Sequence, residues 1–209
     1  MYLIRIHLNP LRRDTVRALS NPNLIHGAIC QAQVDRTERV LWRIDTLGQQ
    51  TYLMILSPTL LETKEIISQF GYPQEVAQVK DYNLLLNRIH DGSRWAFRLC
   101  ANPTVSAPAC DGKRGKIHAH VSSKWQMEWL KNKSVKNGFS IDLNQTKVVY
   151  SKWIQFRKHS PGMVSIKEVI FEGVLTVDNS ELFKKALVHG IGKGKAYGMG
   201  MLTVVSCYE

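Results

Sequence analysis

His26 stands in the segment NPNLIHGAICQAQV, where Asn21 can cap a helix and Pro22 takes its first position. On that helix Leu24, Ile25, Ala28, Ile29 and Ala32 form one apolar face. His26 points about a third of a turn away from the centre of that face, alongside Asn23, Cys30 and Gln33. An imidazole off the core stripe titrates near neutrality, and next to cations it can move the proton of a ribose 2′-hydroxyl or of a leaving 5′-oxygen. The bland alternative is an ordinary surface histidine. His118 and His120 share an H-x-H spacing, but no acidic or cysteine neighbour in sequence completes a ligand set, so no metal and no cofactor are expected.

Gly190, Gly192, Gly194, Gly198 and Gly200 punctuate GIGKGKAYGMG, with Lys193 and Lys195 between them. The spacing is not that of a Walker A loop: three residues, not four, separate Gly190 from Gly194-Lys195, and Ala196 follows the lysine. No GxGxxG register fits, and a helix precedes the loop while a strand follows it, the reverse of both nucleotide-binding motifs. What remains is either a structural turn or a pliable backbone able to approach a large surface, with two lysines and N–H groups to meet phosphates. Basic charge is concentrated between Lys113 and Lys158, where Lys113, Arg114, Lys116, Lys124, Lys131, Lys133, Lys136, Lys147, Lys152, Arg157 and Lys158 face only Glu128 and Asp142. Such a run neutralises phosphates by counterion release, and Trp153 and Phe156 within it offer aromatic surface for bases or sugars.

These candidates belong to a chain of 209 residues with 44% hydrophobic content, enough for one large domain or two small ones. Lys plus Arg outnumber Asp plus Glu by 28 to 17, a formal charge of +11 that favours a polyanion, nucleic acid first and an anionic membrane surface second. No apolar run reaches the roughly 18 residues of a membrane span, and MYLIRIHLNPLRRD lacks the pattern of a signal peptide, so a cytoplasmic protein is expected. Cys30, Cys100, Cys110 and Cys207 form no CxxC pair, which argues against a zinc ribbon or a disulfide scaffold. G-x-S-x-G and H-E-x-x-H are absent, disfavouring hydrolysis of proteins.

The elements that must position these residues follow from pattern. Tyr2 to Leu8 reads as a strand, the His26 segment as a helix, VLWRIDTL and TYLMILSP as a hairpin around Gly48, and LLETKEIISQFG as a helix ending at Gly71. YNLLLNRI and RWAFRLCANP read as strands around an Asp91-Gly92 turn. Strand, helix, two strands, helix, strand is a ferredoxin-like order. A loop, NPTVSAPACDGKRGK, precedes a short helix around WQMEWLKNK. VVYSKWIQFRK and VSIKEVIFEGVLTV form a long hairpin about Ser160-Pro161-Gly162, and Asp178, Asn179 and Ser180 offer caps for ELFKKALVHG. A last strand, MLTVVSCY, closes a chain of two α+β halves.

Taken jointly, these residues resemble the CRISPR repeat-processing endoribonucleases of the CasE type, the precursor-RNA nuclease subunit of type I-E Cascade. The resemblance runs through most of the chain. It rests on the MYL start, the helical His26, RLCANPT from Arg98, FEGVLTV from Phe171 and GIGKGKAYGMGMLTV from Gly190, the last two being the most specific. It implies an α+β fold of two tandem ferredoxin-like (βαββαβ) domains; the expected division of the chain is residues 1–90 and 91–209. It also implies a CRISPR repeat stem-loop as substrate and one metal-independent cut at the 3′ base of the stem, leaving 2′,3′-cyclic phosphate and 5′-hydroxyl ends. The expected partners are that RNA and the other Cascade subunits, including the one forming the crRNA backbone.

His26 matches the family's catalytic histidine, as general base or acid, with a lysine stabilising the charge on the phosphate; Lys158 is the first choice, Lys193 and Lys195 the others. Many members carry a tyrosine one turn before the histidine, where this chain has Asn23, so slow turnover is expected. RNA contacts are expected from Asn23, Lys113, Arg114, Lys116, Lys152, Arg157, Lys193 and Lys195. The rival reading is a non-catalytic scaffold subunit of the same superfamily. A regulator binding single-stranded RNA in the RRM manner would need an RNP pattern that is absent. A membrane-surface protein would need a basic amphipathic helix, whereas these cations lie mainly in loops and the hairpin.

Overall fold

The computed structural model describes residues 1–35, 38–107, 116–157 and 162–207. They form two compact units: Met1–Arg88 with Phe156–Met163 and Lys195–Gly198, and Ile89–Gln155 with Val164–Gly194 and Met199–Glu209. Of the described residues, Phe156, Arg157, Gly162, Met163 and Lys195–Gly198 therefore group with the N-terminal unit.

The first unit runs β1 (Tyr2–Leu8), α1 (Arg13–Ser20), α2 (Pro22–Ala32), β2 (Leu41–Leu47), β3 (Gln50–Ser57), α3 (Lys64–Phe70), β4 (Gln78–Asp81) and the single turn α4 (Asn83–Leu86). Its antiparallel sheet has the order β2-β3-β1-β4, the ferredoxin-like arrangement expected. Alternation along β1 sends Ile4, Ile6 and Leu8 to one face, where they meet Leu53 and Ile55 of β3, the α2 stripe Ile25, Ala28, Ile29 and Ala32, and Ile66, Ile67 and Phe70 of α3. The β2–β3 connection is tighter than expected: Leu47 pairs with Gln50, and Gly48 supplies the positive φ of 63° that a two-residue hairpin turn needs.

The second unit repeats the topology. β5 (Arg94–Ala101), α5 (Ser123–Lys136), β8 (Phe139–Ile141), β10 (Met163–Val177), α6 (Ser180–His189) and β11 (Leu202–Ser206) give a sheet of order β11-β5-β10-β8. Two additions decorate it: a small hairpin, β6 (Thr104–Ser106) with β7 (Ile117–Ala119), and β9 (Lys147–Arg157), which pairs with the long β10. Phe139, Phe171, Phe183, Leu130 and Leu187 are buried at the centre, with Phe139 and Phe183 edge to face at 5.3 Å. Of the three possible caps for α6, Asn179 takes the role, its Oδ1 accepting from the Leu182 N–H at 3.0 Å.

Two expectations need correction. YNLLLNRI is not a strand: Asp81 Oδ1 accepts from the Asn83 N–H at 2.8 Å and turns the chain into α4, with Tyr82 and Ile89 buried and Leu84 exposed. The sheet is completed instead by β4, whose four residues are all exposed and so show no alternating pattern. The loop after β5 also carries structure, since Thr104–Ser106 pair with Ile117–Ala119; residues 108–115 lie outside the described residues. Among the described residues, no helix is long and apolar enough to cross a membrane.

The glycine of FEGVLTV has a steric cause. A Cβ on Gly173 would run into Thr146, at its Oγ1 and 2.6 Å from its Cα, and would lie 2.7 Å from the Gln145 carbonyl oxygen. Gly173→Ala is therefore expected to lower stability by about 1–3 kcal/mol, the range for overpacking, read as an earlier midpoint of chemical denaturation. An unchanged midpoint would mean that the Gln145–Thr146 backbone moves aside freely.

Candidate functional site

α2 begins where α1 ends. Asn21 closes α1 by donating its N–H to the Arg17 carbonyl at 3.0 Å and opens α2 by accepting from the Asn23 N–H at 3.3 Å, with Pro22 in the first helical position. Burial of Ile25, Ala28 and Ile29 sets the rotation of the helix and leaves His26 partly buried at the side of that stripe. Burial holds the His26 imidazole below its usual pKa of 6.5, which favours its neutral form. One turn on, Cys30 Sγ lies 3.8 Å from both ring nitrogens, a weak thiol contact that restrains the ring.

The first unit gathers two further segments on this helix. Asn23 Nδ2 donates to Asn21 Oδ1 at 3.1 Å and to the Arg157 carbonyl at 3.3 Å, so the last residue of β9 is tied to the first turn of α2. Arg157 itself is exposed. The 3-10 turn Lys195–Tyr197 packs on α2 and β2, and the Tyr197 ring lies on Phe156 with centroids 4.9 Å apart. Gly198, with φ of +80°, ends this turn against Trp42; a Cβ there would come within 2.8 Å of the indole ring. Phe156 is buried, so of the two aromatics expected to offer surface on β9 only Trp153, about half exposed, does so.

All five glycines of the C-terminal motif have positive φ, and the segment closes on itself instead of lying open: Ile191 N–H donates to the Gly200 carbonyl at 2.8 Å, and Gly200 N–H to the Cys100 carbonyl at 2.6 Å. Lys193, exposed, sits in the second unit in a bridge with Asn102, whereas Lys195 groups with His26 in the first. Lys152 belongs to the second unit and pairs with Glu168 at 3.4 Å. Partial burial pushes its ammonium down, but Glu168 and Tyr150 outweigh this and hold its pKa above the usual value. Lys116 is exposed just before β7, and Lys113, Arg114 and Lys158 lie outside the described residues. His118 is on β7 and His120 just after it; among the described residues no three His, Cys, Asp or Glu side chains are grouped to hold a metal ion.

Sequence reasoning overlooked Tyr197. It lies 171 positions after His26 in a stretch read only for its glycines and lysines, and no local period links the two.

A model of the CRISPR associated protein family matches residues 1–205. The CRISPR-associated endoribonuclease Cse3 of Thermus thermophilus is 29% identical over 217 aligned residues, covering 98% of this chain and 99% of that protein. A structure of Cse3 bound to a 19 nt RNA is similar with a TM-score of 0.79 at 26% identity, covering 98% of this chain and all of the other. Thermus thermophilus Cse3 bound to an RNA representing a pre-cleavage complex gives 0.80 at 25% identity, covering 98% of each chain. The chain belongs to the CRISPR associated protein family, in keeping with the CasE-type resemblance of its motifs.

In the RNA-free protein, the His26 ring protons are expected to titrate by NMR with a midpoint below 6.5, because desolvation disfavours the imidazolium. A midpoint at or above 6.5 would show that the ring is effectively solvated. Gly198→Ala is expected to displace the 3-10 turn from Trp42, seen as a changed Trp42 indole N–H resonance; an unperturbed resonance would show that the turn tolerates a side chain.

Proposed function

We propose that this chain is an endoribonuclease that cleaves precursor CRISPR RNA at the 3′ base of the repeat stem-loop and keeps the product hairpin as a subunit of Cascade. The observation that carries the proposal is His26: a neutral, partly buried imidazole on a capped helix, with the exposed Arg157 tied to the same helix by Asn23. Similarity to an endoribonuclease along nearly the whole chain supports it.

In the proposed reaction the ribose 2′-hydroxyl gives up its proton as its oxygen attacks the adjacent phosphorus in line. The bond from phosphorus to the 5′-oxygen breaks, that oxygen takes a proton, and a 2′,3′-cyclic phosphate and a 5′-hydroxyl remain. A neutral imidazole is in the form needed to accept the first proton, and once protonated it can supply the second. Negative charge that builds on the phosphate calls for a fixed cation; Lys158 is proposed for it, with Lys195, which shares the first unit with His26, as the alternative. The ammonium of either lysine would make a metal ion unnecessary. Asn23 acts in this scheme through the Arg157 backbone, setting the hairpin end beside the helix.

Arg157, Lys152, Lys116, Lys113, Arg114 and Lys193 are proposed to meet RNA phosphates. An A-form stem hides its major-groove edges, so recognition rests on phosphates, shape and the nucleotides at the stem base. Pairing with Glu168 makes Lys152 the weaker contributor.

Single-turnover incubation of the cognate repeat stem-loop in excess EDTA is expected to give a cyclic 3′ end with wild-type protein. His26→Ala is expected to lower the rate by about 10²–10⁴-fold with binding retained. Tight binding without any cut by the wild type would instead identify a non-catalytic scaffold subunit. Neutralising Arg157 and Lys158 together is expected to reduce the slope of log affinity against log salt by about two units. An unchanged slope would remove this end of the hairpin from the interface.

A further inference from the structure

Within the second unit, a cavity of about 390 Å³ lies against α5, in the size range of small-ligand sites. It is lined by the rings of His120, Trp125 and Trp129, by the polar pair Glu128 and Asn132, and by Lys133 and Lys136. Trp125 is 55% exposed, a large apolar area to leave in water on a helix whose other tryptophan, Trp129, is buried against Phe171. The His120 and Trp125 rings are close to parallel, 20° apart with centroids 6.3 Å from one another, so together they present a platform for a flat ring.

The platform is held firmly. Gln126, fully buried, donates from Nε2 to the His120 carbonyl at 2.9 Å and the Val121 carbonyl at 3.0 Å, and the His120 N–H donates to the Pro103 carbonyl at 2.9 Å. α5 also carries cations beside both tryptophans: Lys124 Nζ is 5.8 Å from the Trp125 ring centroid, and Lys133 Nζ is 5.8 Å from that of Trp129. The polar lining couples an acceptor to a donor, Glu128 Oε1 receiving the Asn132 Nδ2 hydrogen at 3.3 Å. A carboxylate and an amide side by side suit the amino and ring-nitrogen edge of a base.

Flat aromatic surface, an acceptor–donor pair and an excess of lysine over acid combine into the pattern of a single-stranded nucleic-acid site. An apolar protein segment would fill the ring-lined space but would leave Lys133 and Lys136 unmatched. We propose that this cavity is a stacking site for an unpaired RNA nucleotide, its base on Trp125 and His120 and its phosphate at Lys133 and Lys136. The proposal rests on the RNA-binding reading above and adds a site for a single-stranded flank of the stem-loop.

The test compares the cognate repeat stem-loop alone with the same stem-loop carrying single-stranded flanks on both sides. Wild-type protein is expected to bind the flanked RNA more tightly. Trp125→Ala is expected to lose roughly tenfold on the flanked RNA and nothing on the bare stem-loop, and Trp125→Phe to recover most of that loss. Thiouridine in the flank is expected to crosslink to the peptide that contains Trp125. A flank that adds no affinity, an equal loss on both RNAs, or an undiminished gain in Trp125→Ala overturns the stacking site while the RNA-binding reading stands; the last outcome would assign the cavity to a protein partner. A wild-type protein that binds neither RNA overturns both readings.

Discussion

Burial of one face of α2 against β1 and β3 governs the arrangement of the candidate site. A helix advances about 100° per residue, so once Ile25, Ala28, Ile29 and Ala32 are committed to the sheet, the direction of every other residue on α2 is set. His26 is thereby held at the edge of the core, close enough to lose solvent and favour its neutral form, and far enough out to meet a ligand. Asn21 fixes where the helix starts, and the Asn23 amide uses that fixed start to hold Arg157. Shifting the helical register by one residue would rotate His26 away and bring the buried Ile25 or the exposed Gly27 into its place.

The glycine-rich motif acts chiefly through packing. Its backbone hydrogen bonds close the segment on itself and on β5, and Gly198 lets the chain pass against the Trp42 ring. The motif thereby carries Lys195 and Tyr197 onto α2 and β2. Gly173 in β10 has a similar origin in the approach of the Gln145–Thr146 backbone. Positive charge needs the same separation of local from tertiary effects: Lys152 is partly offset by Glu168, while Lys116, Lys193 and Arg157 remain exposed.

Legibility in the sequence varied with how strongly each element's pattern depended on its own neighbours. α2, the β2–β3 hairpin and α6 declare themselves by caps, turn glycine and apolar period, all local. α1 is hard to see because its buried residues are only Thr15 and Ala18, one of them polar with its hydroxyl bonded to the Phe70 carbonyl at 2.8 Å. β4 has no buried residue at all and exists because β1 offers it a free edge. YNLLLNRI reads as a strand from its apolar content, yet a single hydrogen bond from the Asn83 N–H to Asp81 turns it into a helix.

The sequence by itself determined the class of chain, most strands and helices apart from α1, β4 and α4, the position of His26 off the α2 core stripe and the cationic surplus, because each depends on composition or on periods of a few residues. Tertiary structure alone decided which distant groups meet: Asn23 with Arg157, 134 positions apart, Tyr197 with Phe156, and the Trp42 ring with Gly198. Such contacts form when sheets and helices close over a shared core, and neither partner's local pattern records the other. The same closure buries Phe156 and lowers the pKa of His26, properties that belong to the surroundings and not to the residues.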